Sequence, residues 1–470
     1  MSEIRFTAAD QRRFAALSGD RNPVHLDSIA ARRIAAGQPI VHGMHLLLRM
    51  LDRNKTDASA PTVGLTATFL QPAFVAETIV IDTPARGELT ATASGGPLLA
   101  RTVVATAGSA TTTPPSGQAA KVPSRPRVRT LLDCEGLGGA MTLPPAAPLA
   151  RAFPTAARAL GADVVAALAG ISALVGMECP GRDSLLSAVR LRLTRGARLR
   201  RLDWRVVRAD RRFGLLRIEM TGGGVAGTID AFVRPQPTAP PAIADAAALV
   251  HEGEFQSQRA LIVGGSRGLG AAAAVLLAAG GGLPVVTYAS GAADAAALRR
   301  KVRAAGHAME ALRLDVTDRD AARVIGRAAA RHGITHVYYC ATPRIFARRR
   351  PPFDRALFDR FCDVYVDAFA RLCASAHRRG RLLVVFYPSS VAVDDTPAEL
   401  TEYAAAKAAG ECACAGLERS IDGLSVFVTR LPRVATDQSA SIVPTGAASA
   451  IQTMLSVVRE MQRRASEESQ

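Results

Sequence analysis

In the first half of the chain, hydrophobic and polar positions twice follow the same order of spacings, first that of a helix and then that of strands. An apolar run with helical spacing, HGMHLLLRMLDR, precedes four runs with strand-like alternation: VGLTATFLQP, ETIVIDT, GELTATAS and LLARTVVATA. A second helical run, ADVVAALAGISALVGMECPG, precedes SLLSAVRLRL, LDWRVVRAD, FGLLRIEMTG and GTIDAFVRP. One long helix followed by an antiparallel meander predicts, in each segment, a sheet that wraps around its helix.

The pattern changes at residue 259, where short apolar runs begin to alternate with helical runs. RALIVGGSRGLG followed by AAAAVLLAAGG indicates a strand, a glycine-rich turn and an alanine-rich helix. Alternating strands and helices predict a parallel sheet that is covered on both faces. The expected fold class is therefore an α+β double hotdog followed by an α/β Rossmann-type doubly wound parallel sheet.

Two proline-rich stretches separate these segments, one containing TTTPPSG and the other beginning with RPQPTAPP. The length of 470 residues is also too great for one hydrophobic core. The predicted borders are a first hotdog half at 1–110, a linker at 111–129, a second hotdog half at 130–234, a linker at 235–258, a Rossmann domain at 259–460 and a tail at 461–470.

The formal net charge is +17, and only four of the 58 basic residues are lysine. Two explanations stay open, a coding bias toward arginine in a GC-rich genome or attraction for an anionic partner. Nucleic acid is not expected as that partner, because the sequence has no recognition helix, zinc finger or aromatic–basic repeat. A nucleotide-bearing coenzyme or an acidic carrier protein fits the charge better.

The seven cysteines form no CxxC pair and no metal-ligand spacing, so we expect neither disulfides nor a metal site. No apolar run is long enough to span a bilayer, and the N-terminus MSEIRFTAADQRR lacks the apolar centre of a signal peptide. The sequence therefore predicts a cytoplasmic protein without a membrane partner.

The first candidate site lies in the loop SGDRNPVHLD, which is followed by PIVHGMH at the first predicted helix. Adding or removing water across the α,β-bond of a thioester needs one group for the α-proton and one for the oxygen. Asp20 and His25 can fill these roles if both reach one face of the substrate. A backbone N–H at a helix N-terminus stabilises the enolate, and Gly43 leaves that N–H open to approach.

These residues resemble the signature of the MaoC-like, (R)-specific enoyl-CoA hydratase family, closely in the loop and first helix and more loosely in the strands. The resemblance implies that Asp20 and His25 are the catalytic pair and that Gly43 is the oxyanion donor. It also implies that Asn22 shapes the loop and makes Asn22 and His42 candidates for substrate binding.

A purely structural interpretation of the same residues stays open. Asp, Asn and Pro are common turn formers, so SGDRNP alone fits a surface turn, and both His42 and His45 fit structural roles. The middle segment contains no second Asp-x4-His loop. We therefore expect a degenerate second half that shapes the acyl pocket.

The second candidate site begins with Gly264, Gly268 and Gly270, which would let the backbone approach a pyrophosphate at a helix N-terminus. Tyr403 and Lys407, in YAAAK, are four residues apart and share one helix face. A serine follows the apolar run LLVVFYP, 13 residues before the tyrosine. Three elements in this order are more specific than a glycine-rich turn alone.

Residues 259 to 440 resemble the short-chain dehydrogenase/reductase family, and its β-ketoacyl reductases in particular. The resemblance implies that Tyr403 donates a proton to the carbonyl, that Lys407 lowers the phenol pKa and binds the cofactor ribose, and that Ser390 orients the carbonyl. The implied cofactor contacts are Gly264, Ser266, Arg267, Gly268, Leu269, Gly270, Tyr288, Ser290, Asp315, Val316, Tyr403, Lys407 and Thr436.

Charge favours NADP(H) as the cofactor. An NAD-specific site usually places an acid near the end of the second strand, here PVVTYAS, and none is present. Asp294 comes later and is expected inside the next helix. Arg267 in the glycine-rich turn can instead face a 2′-phosphate.

The chain also departs from the reductase pattern. Val263 replaces the family's Thr before the turn, YYCATP replaces its Asn-Asn-Ala-Gly, Tyr365 stands where a relay Asn is usual, and Arg433 replaces a loop Gly. These changes leave the Ser–Tyr–Lys set complete but affect the groups expected to pass the proton.

Together the two sites predict a bifunctional enzyme that reduces a 3-oxoacyl thioester to the (3R)-hydroxyacyl form and dehydrates it to the enoyl form. Fatty-acid or polyketide-type synthesis is the expected setting, with the acyl group on acyl carrier protein or CoA. Two alternatives stay open: hydration and oxidation in acyl-CoA breakdown, or an active dehydratase fused to a non-catalytic docking domain. The family resemblance also allows a homodimer.

Overall fold

The computed structural model describes residues 1–34, 36–53, 62–106, 118–196, 200–348, 352–439 and 446–468. The described residues fall into two compact units, one within Met1–Gln236 and the other within Pro237–Gln470. Each unit has its own sheet.

The described strands of the first unit form one antiparallel sheet in which the order of the second half mirrors that of the first. The order is β1-β3-β4-β5-β2-β7-β10-β9-β8-β6, with β2 paired to β7 at the centre. The strands are β1 Ser2–Arg5, β2 Thr62–Phe69, β3 Thr78–Ala85, β4 Glu88–Ala93, β5 Leu98–Thr106, β6 Gly138–Thr142, β7 Ser184–Thr194, β8 Arg201–Asp210, β9 Leu215–Gly222 and β10 Val225–Val233.

Each half of this sheet wraps one long apolar helix, α4 in the first half and α8 in the second. Both helices are almost entirely buried, and they pack in one continuous hydrophobic core. The helices are α1 Ala8–Ser18, α2 Pro23–Leu26, α3 Ser28–Ala31, α4 Gly43–Arg53, α5 Leu131–Cys134, α6 Ala146–Ala152, α7 Pro154–Leu160 and α8 Ala162–Ala173, which continues into a π-helical turn, Leu174–Glu178.

The predicted double hotdog is confirmed in its helices and in the positions of its eight predicted strands. Sequence periodicity missed β1 and β6, because strands of four and five residues show too little alternation to be recognised. Each of them forms an outer edge of the sheet.

The second unit contains a parallel sheet with the order β13-β12-β11-β14-β15-β16 among its described strands. This is the doubly wound order in which the direction of winding reverses beside the first strand of the unit. The strands are β11 Arg259–Val263, β12 Leu283–Tyr288, β13 Glu310–Arg313, β14 His336–Tyr339, β15 Leu383–Ser390 and β16 Leu424–Leu431.

Helices connect these parallel strands, as a crossover requires, and further helices precede β11 and follow β16. They are α9 Ile243–Ala247, α10 Gly268–Ala279, α11 Ala292–Ala304, α12 Ala321–His332, α13 Arg355–Cys362, α14 Phe369–Ala376, α15 Ala392–Asp395, α16 Thr401–Ser420 and α17 Ala450–Glu467, with a π-helical turn at Asp363–Ala368 and a 3-10 turn at Ala398–Leu400. The predicted Rossmann-type fold is confirmed, and Asp294 lies inside α11 as expected.

Two predicted borders need correction. The segment predicted as a tail at 461–470 continues α17 as far as Glu467, and Met461 is fully buried in the core. The segment predicted as a linker at 235–258 contains α9 and the buried Phe255. Residues 107–117, which include the start of the linker predicted at 111–129, lie outside the described residues.

Within the described residues, no single helix has the length and apolar content needed to cross a bilayer. The helix pair Pro154–Leu160 and Ala162–Glu178 meets that test only when taken together, and it bends by 114° at its break.

Candidate active sites

The first unit encloses a cavity of about 270 Å³ that receives residues from both hotdog halves. The first half contributes Asp20, His25 and Gly43, which are the three catalytic residues predicted from the sequence. The remaining walls are largely apolar and include Leu46, Phe69, Val175, Leu186 and Phe232. The cavity therefore combines a polar end with a surface suited to a hydrocarbon chain.

Asp20 is buried, and hydrogen bonds from two sides hold its carboxylate. The backbone N–H of Asn22 donates to Oδ1 at 3.1 Å, and the hydroxyl of Ser172 donates to Oδ2 at 2.7 Å. Burial raises the pKa of Asp20, while the nearby His25 and these two donors oppose that rise. The protonation state of this carboxyl group therefore depends on the balance between its burial and these neighbours.

His25 lies in the short helix α2, which Asn22 caps through a bond to the N–H of Val24. Its Nδ1 is 2.8 Å from the carbonyl oxygen of Ile40, which can only accept, so Nδ1 carries a proton and Nε2 is left with a lone pair. Burial lowers the pKa of His25, which favours this neutral form. The ring thus offers a base to the cavity.

Gly43 is the first residue of α4, as predicted. The first N–H groups of a helix have no carbonyl partner within it, and they point to where an anion is stabilised. A Cβ at this position would lie 3.1 Å from Leu186 and 3.4 Å from Phe69, two walls of the cavity. Glycine therefore keeps the helix terminus accessible from the cavity.

The second hotdog half contributes two residues that sequence reasoning missed. Ser172 bonds to the Asp20 carboxylate, and Gly176 lies so close to it that a Cβ would approach Oδ1 to 2.4 Å. A serine and a glycine four residues apart share one face of an otherwise apolar helix. That spacing was a usable signal, although its partner lies about 150 residues earlier in the chain.

Asn22 and His42, predicted as substrate-binding residues, lie beside the cavity and are fully engaged. The Asn22 amide donates to the carbonyl oxygens of Gly176, Gly181 and Arg182. The His42 ring is fully buried and stacks on His25, with ring centroids 3.8 Å apart. These contacts favour supporting roles for both residues rather than direct contact with substrate.

The glycine-rich turn of the second unit lies between β11 and α10, where the sequence predicted it. A Cβ at Gly264 would lie 2.9 Å from the backbone of Ala341, and one at Gly270 would lie 2.7 Å from the carbonyl oxygen of Gly264. Gly268 begins α10 with φ +57°. The resulting bare backbone at a helix N-terminus fits the pyrophosphate of a dinucleotide.

Arg267, the predicted 2′-phosphate contact, forms an ion pair with Asp437 at 3.0 Å. Asp437 belongs to the loop after β16 and also accepts the N–H of Thr238. In the same loop, the methyl group of Thr436 would lie 3.6 Å from a Cβ at Gly268. The loop therefore contacts the glycine-rich turn directly.

The other predicted cofactor residues lie in or just after the glycine-rich turn, or beyond the carboxyl ends of neighbouring parallel strands, the edge at which such sheets bind ligands. Asp315 has a local role, since its carboxylate accepts the N–H and hydroxyl of Thr317. The remaining predicted contacts are Ser266 and Leu269 of the turn region, Tyr288 at the end of β12, Ser290 after β12, and Val316 after β13.

Ser390, Tyr403 and Lys407 come together where β15 meets α16. Tyr403 is 9% exposed and hydrogen bonded to Ser390. Burial raises the pKa of the Tyr403 phenol, and the bond to Ser390 opposes that rise. The phenol is therefore protonated and placed beside a hydroxyl group, as a proton donor to a carbonyl would be.

Lys407 is surrounded by aromatic rings. Its Nζ donates to the carbonyl oxygen of Pro388 at 2.6 Å and lies 3.8 Å from the ring centroid of Tyr365 and 4.9 Å from that of Tyr387. Burial lowers the pKa of Lys407 to about 7. The hydroxyl of Tyr365 is hydrogen bonded to Thr342. The residue at the usual relay position thus covers the lysine with its ring.

Two family models match separate parts of this chain. The MaoC like domain matches residues 1–90, and the short chain dehydrogenase matches residues 258–445. An "(R)-specific enoyl-CoA hydratase" of Aeromonas caviae is 37% identical over 81 residues, which are 17% of this chain. The match spans 60% of that hydratase's length.

Several solved structures are similar to part of the chain. A short chain dehydrogenase from Burkholderia cenocepacia, in complex with NADP, is 26% identical, with a TM-score of 0.41, and covers 44% of this chain and 91% of its own. A 3-oxoacyl (acyl-carrier-protein) reductase from Agrobacterium tumefaciens, with NADP bound, is 21% identical, with a TM-score of 0.40, 44% coverage of this chain and 88% of its own.

Proposed function

Because the chain joins an N-terminal MaoC-like domain to a C-terminal short-chain dehydrogenase domain, we propose that it is a bifunctional acyl-thioester enzyme. The second domain reduces a 3-oxoacyl thioester to the (3R)-hydroxyacyl form, and the first removes water to give the trans-2-enoyl thioester. The convergence of Asp20, His25 and Gly43 on one largely apolar cavity carries this proposal.

The dehydration step needs a base and a protonated acid, and the cavity offers His25 and the protonated form of Asp20 for these roles. The free Nε2 of His25 takes the proton from C2, while the buried carboxyl of Asp20 gives a proton to the departing hydroxyl. The N-terminus of α4 at Gly43 stabilises the negative charge that develops on the thioester oxygen. Hydration reverses these roles: Asp20 starts as the carboxylate and takes a proton from water, the resulting hydroxide adds to C3, and the protonated His25 returns its proton to C2.

The reduction step uses the second unit's polar set. Ser390 orients the 3-oxo group, and the Tyr403 phenol gives its proton to the carbonyl oxygen. Lys407 would hold the ribose of the cofactor and lower the phenol pKa by its charge. NADPH supplies the hydride when bound.

NADP(H) is the proposed cofactor because Arg267 of the glycine-rich turn can bind the 2′-phosphate by exchanging its ion pair with Asp437 for one with the phosphate. The loop after β12 provides no carboxylate at the position that bonds ribose hydroxyls in NAD sites, and Asp294 lies within α11. Arg267 caps α10 beside the bare backbone of the turn. NADPH preference in turn supports a role in fatty-acid or polyketide-type synthesis, in the cytoplasm, on acyl groups carried by acyl carrier protein or CoA.

The test is incubation of the whole chain with NADPH and 3-oxoacyl thioesters on both carriers, followed by mass analysis. We expect a gain of two hydrogens and then a loss of water. Asp20→Asn is expected to stop the reaction at the hydroxyacyl product, whereas Tyr403→Phe is expected to stop it before reduction. Dehydration of a supplied (3R)-hydroxyacyl thioester by Asp20→Asn at the unmodified rate would contradict the assignment of the first site.

A second candidate function is supported by the contacts of Lys407. Its ammonium group is bonded to the backbone of Pro388 and covered by Tyr365, an arrangement that also fits a non-catalytic docking domain. Calorimetry with NADPH separates the two. Binding in the micromolar range with turnover supports the reductase, and absence of binding together with intact dehydration supports the docking domain.

A further inference from the structure

The buried amide of Gln11 has only one orientation that satisfies its neighbours. The backbone N–H of His42 lies 3.1 Å from Oε1 of Gln11, and because this N–H can only donate, the amide oxygen must be the atom that faces it. The amide nitrogen then faces Nδ1 of His45 at 3.3 Å and donates to it. Gln11 therefore distinguishes the two histidines, accepting from His42 and donating to His45.

This orientation determines which protons His42 carries. Its Nδ1 lies 2.7 Å from the same Oε1 of Gln11, so Nδ1 must be protonated. Its Nε2 lies 3.2 Å from the backbone oxygen of Asp20 and 3.9 Å from carboxylate Oδ2 of the same residue. An unprotonated Nε2 would direct its lone pair at an oxygen that can only accept. Both ring nitrogens of His42 thus face acceptors.

We infer that His42 is an imidazolium in the resting site, a positioning residue whose charge stabilises the carboxylate form of the buried Asp20, the form in which hydration starts. This inference rests on the proposed function of the first site. It deepens that function, because it assigns a role to a histidine that does not line the cavity. Gln11 contributes to this charge state, because its amide oxygen accepts the proton on Nδ1 of His42.

The groups that act on His42 come from each element packed against it. Burial, the stacked ring of His25 in α2 and His45 in α4 all lower the pKa of His42. The Asp20 backbone oxygen in the loop after α1 raises it, and α1 adds the neutral Gln11 and Phe14. Together burial and the two rings hold the pKa of His42 well below its usual range. The two acceptor contacts are the geometric observation that opposes them, since a neutral ring would leave a buried lone pair facing an oxygen.

The charge state has a consequence for catalysis that can be measured in the hydration direction. Hydration requires Asp20 to begin as a carboxylate and His25 to carry the proton that reaches C2, so its rate rises with pH through the pKa of Asp20 and falls through that of His25. A positive ring within 3.9 Å of Oδ2 lowers that pKa against the effect of burial. Without the charge, the rising limb of the profile is expected to move to higher pH.

Nitrogen NMR on the whole chain labelled with 15N-histidine reads the charge directly. The protein has eight histidines, and at pH 8 an ordinary histidine is neutral. We expect one histidine with both nitrogens protonated, whose signal disappears in His42→Gln. His45→Gln is the matched control, because the His45 ring is neutral at pH 8. Burial lowers its pKa to about 3, and its Nδ1 accepts a hydrogen bond from the Gln11 amide. A His42 signal with one protonated nitrogen at pH 8 overturns the inference.

Hydration of crotonyl-CoA over a range of pH provides the second readout. In His42→Gln the rising limb of kcat/KM is expected to move up by about one pH unit, whereas His45→Gln leaves it in place. An unmoved limb in His42→Gln overturns the positioning role. If His42→Gln does not fold, the wild-type NMR signal at pH 8 still decides the charge. A chain that hydrates no thioester but shows this imidazolium would contradict the proposed function and leave the charge assignment standing.

Discussion

At the scale of single residues, hydrogen bonds from a few protein groups replace the water that would otherwise surround the carboxylate of the first site. Asp20 is 2% exposed, and a buried carboxylate is unfavourable unless donors or charges face it. Ser172 and the backbone of Asn22 supply the donors. The protonation state of this one group is therefore set by residues that do not contact the substrate.

Replacing Ser172 by alanine is expected to weaken hydration without unfolding the unit. Loss of a hydrogen bond to a charged group removes about 1.5–3 kcal/mol, or roughly 10- to 100-fold in rate. The pKa of Asp20 should rise further, because the donor that lowers it is gone. Steady-state hydration as a function of pH checks both effects. Ser187→Ala, in the same cavity, is the control and should leave the pH profile unchanged.

In the second site, the pKa of Lys407 is expected to depend in a comparable way on one residue, Tyr365, whose ring covers the ammonium group. Burial lowers the pKa of Lys407 to about 7, so the ammonium is present below pH 7 and lost above it. Reduction should therefore decline as pH rises through about 7. Tyr365→Asn lets water reach the lysine, and the decline should move about one unit higher. Tyr387→Phe keeps the other ring over Lys407 and should leave the profile as it is; identical profiles in all three proteins would exclude this account.

At the scale of elements, sequence reasoning identified the helices that carry each site but not how the two halves meet. Asp20, His25 and Gly43 lie within 24 residues, so a motif could group them. The partner residues Ser172 and Gly176 are in α8 and its π-helical turn, in a segment predicted to be degenerate. Contact between segments so distant in the chain depends on the pairing of β2 with β7, which local periodicity does not contain.

A pair of glycines in α8 and its continuation tests whether this helix supports the site. A Cβ at Gly176 would lie 2.4 Å from Asp20 Oδ1, so Gly176→Ala must displace the carboxylate and should reduce hydration more than 100-fold, about 3 kcal/mol. Gly170→Ala is the matched control, because its Cβ would meet the end of the Leu143 side chain at 2.5 Å, which can rotate away. Equal losses in the two variants, with both folded by circular dichroism, would contradict this view of the helix.

At the scale of the whole molecule, the net charge of +17 affects which partners the chain attracts. Many of the described arginines are already paired with acids, for example Arg190 and Arg217 with Asp230. The excess nevertheless gives the chain a long-range attraction for anions. This property was evident from composition, although composition could not distinguish coding bias from recognition.

Salt dependence separates those two explanations. If the charge recruits an acidic carrier protein, raising the ionic strength from about 0.05 to 0.5 M should lower kcat/KM for a carrier-bound substrate about tenfold. The uncharged N-acetylcysteamine thioester of the same acyl group is the control and should be nearly insensitive to salt. Parallel decreases for both substrates would indicate a general effect of salt on the enzyme rather than recognition of the carrier.

The mirrored strand order of the first unit has one further consequence. In a symmetric pair of identical subunits every substitution occurs twice, so a change that improves a wall of one site must be tolerated at the same place in its copy. Here both halves belong to one chain, and α4 and α8 can vary independently. One half can retain the acid–base groups while the other adapts its shape to a substrate. This is possible because a substitution in one half is not repeated in the other.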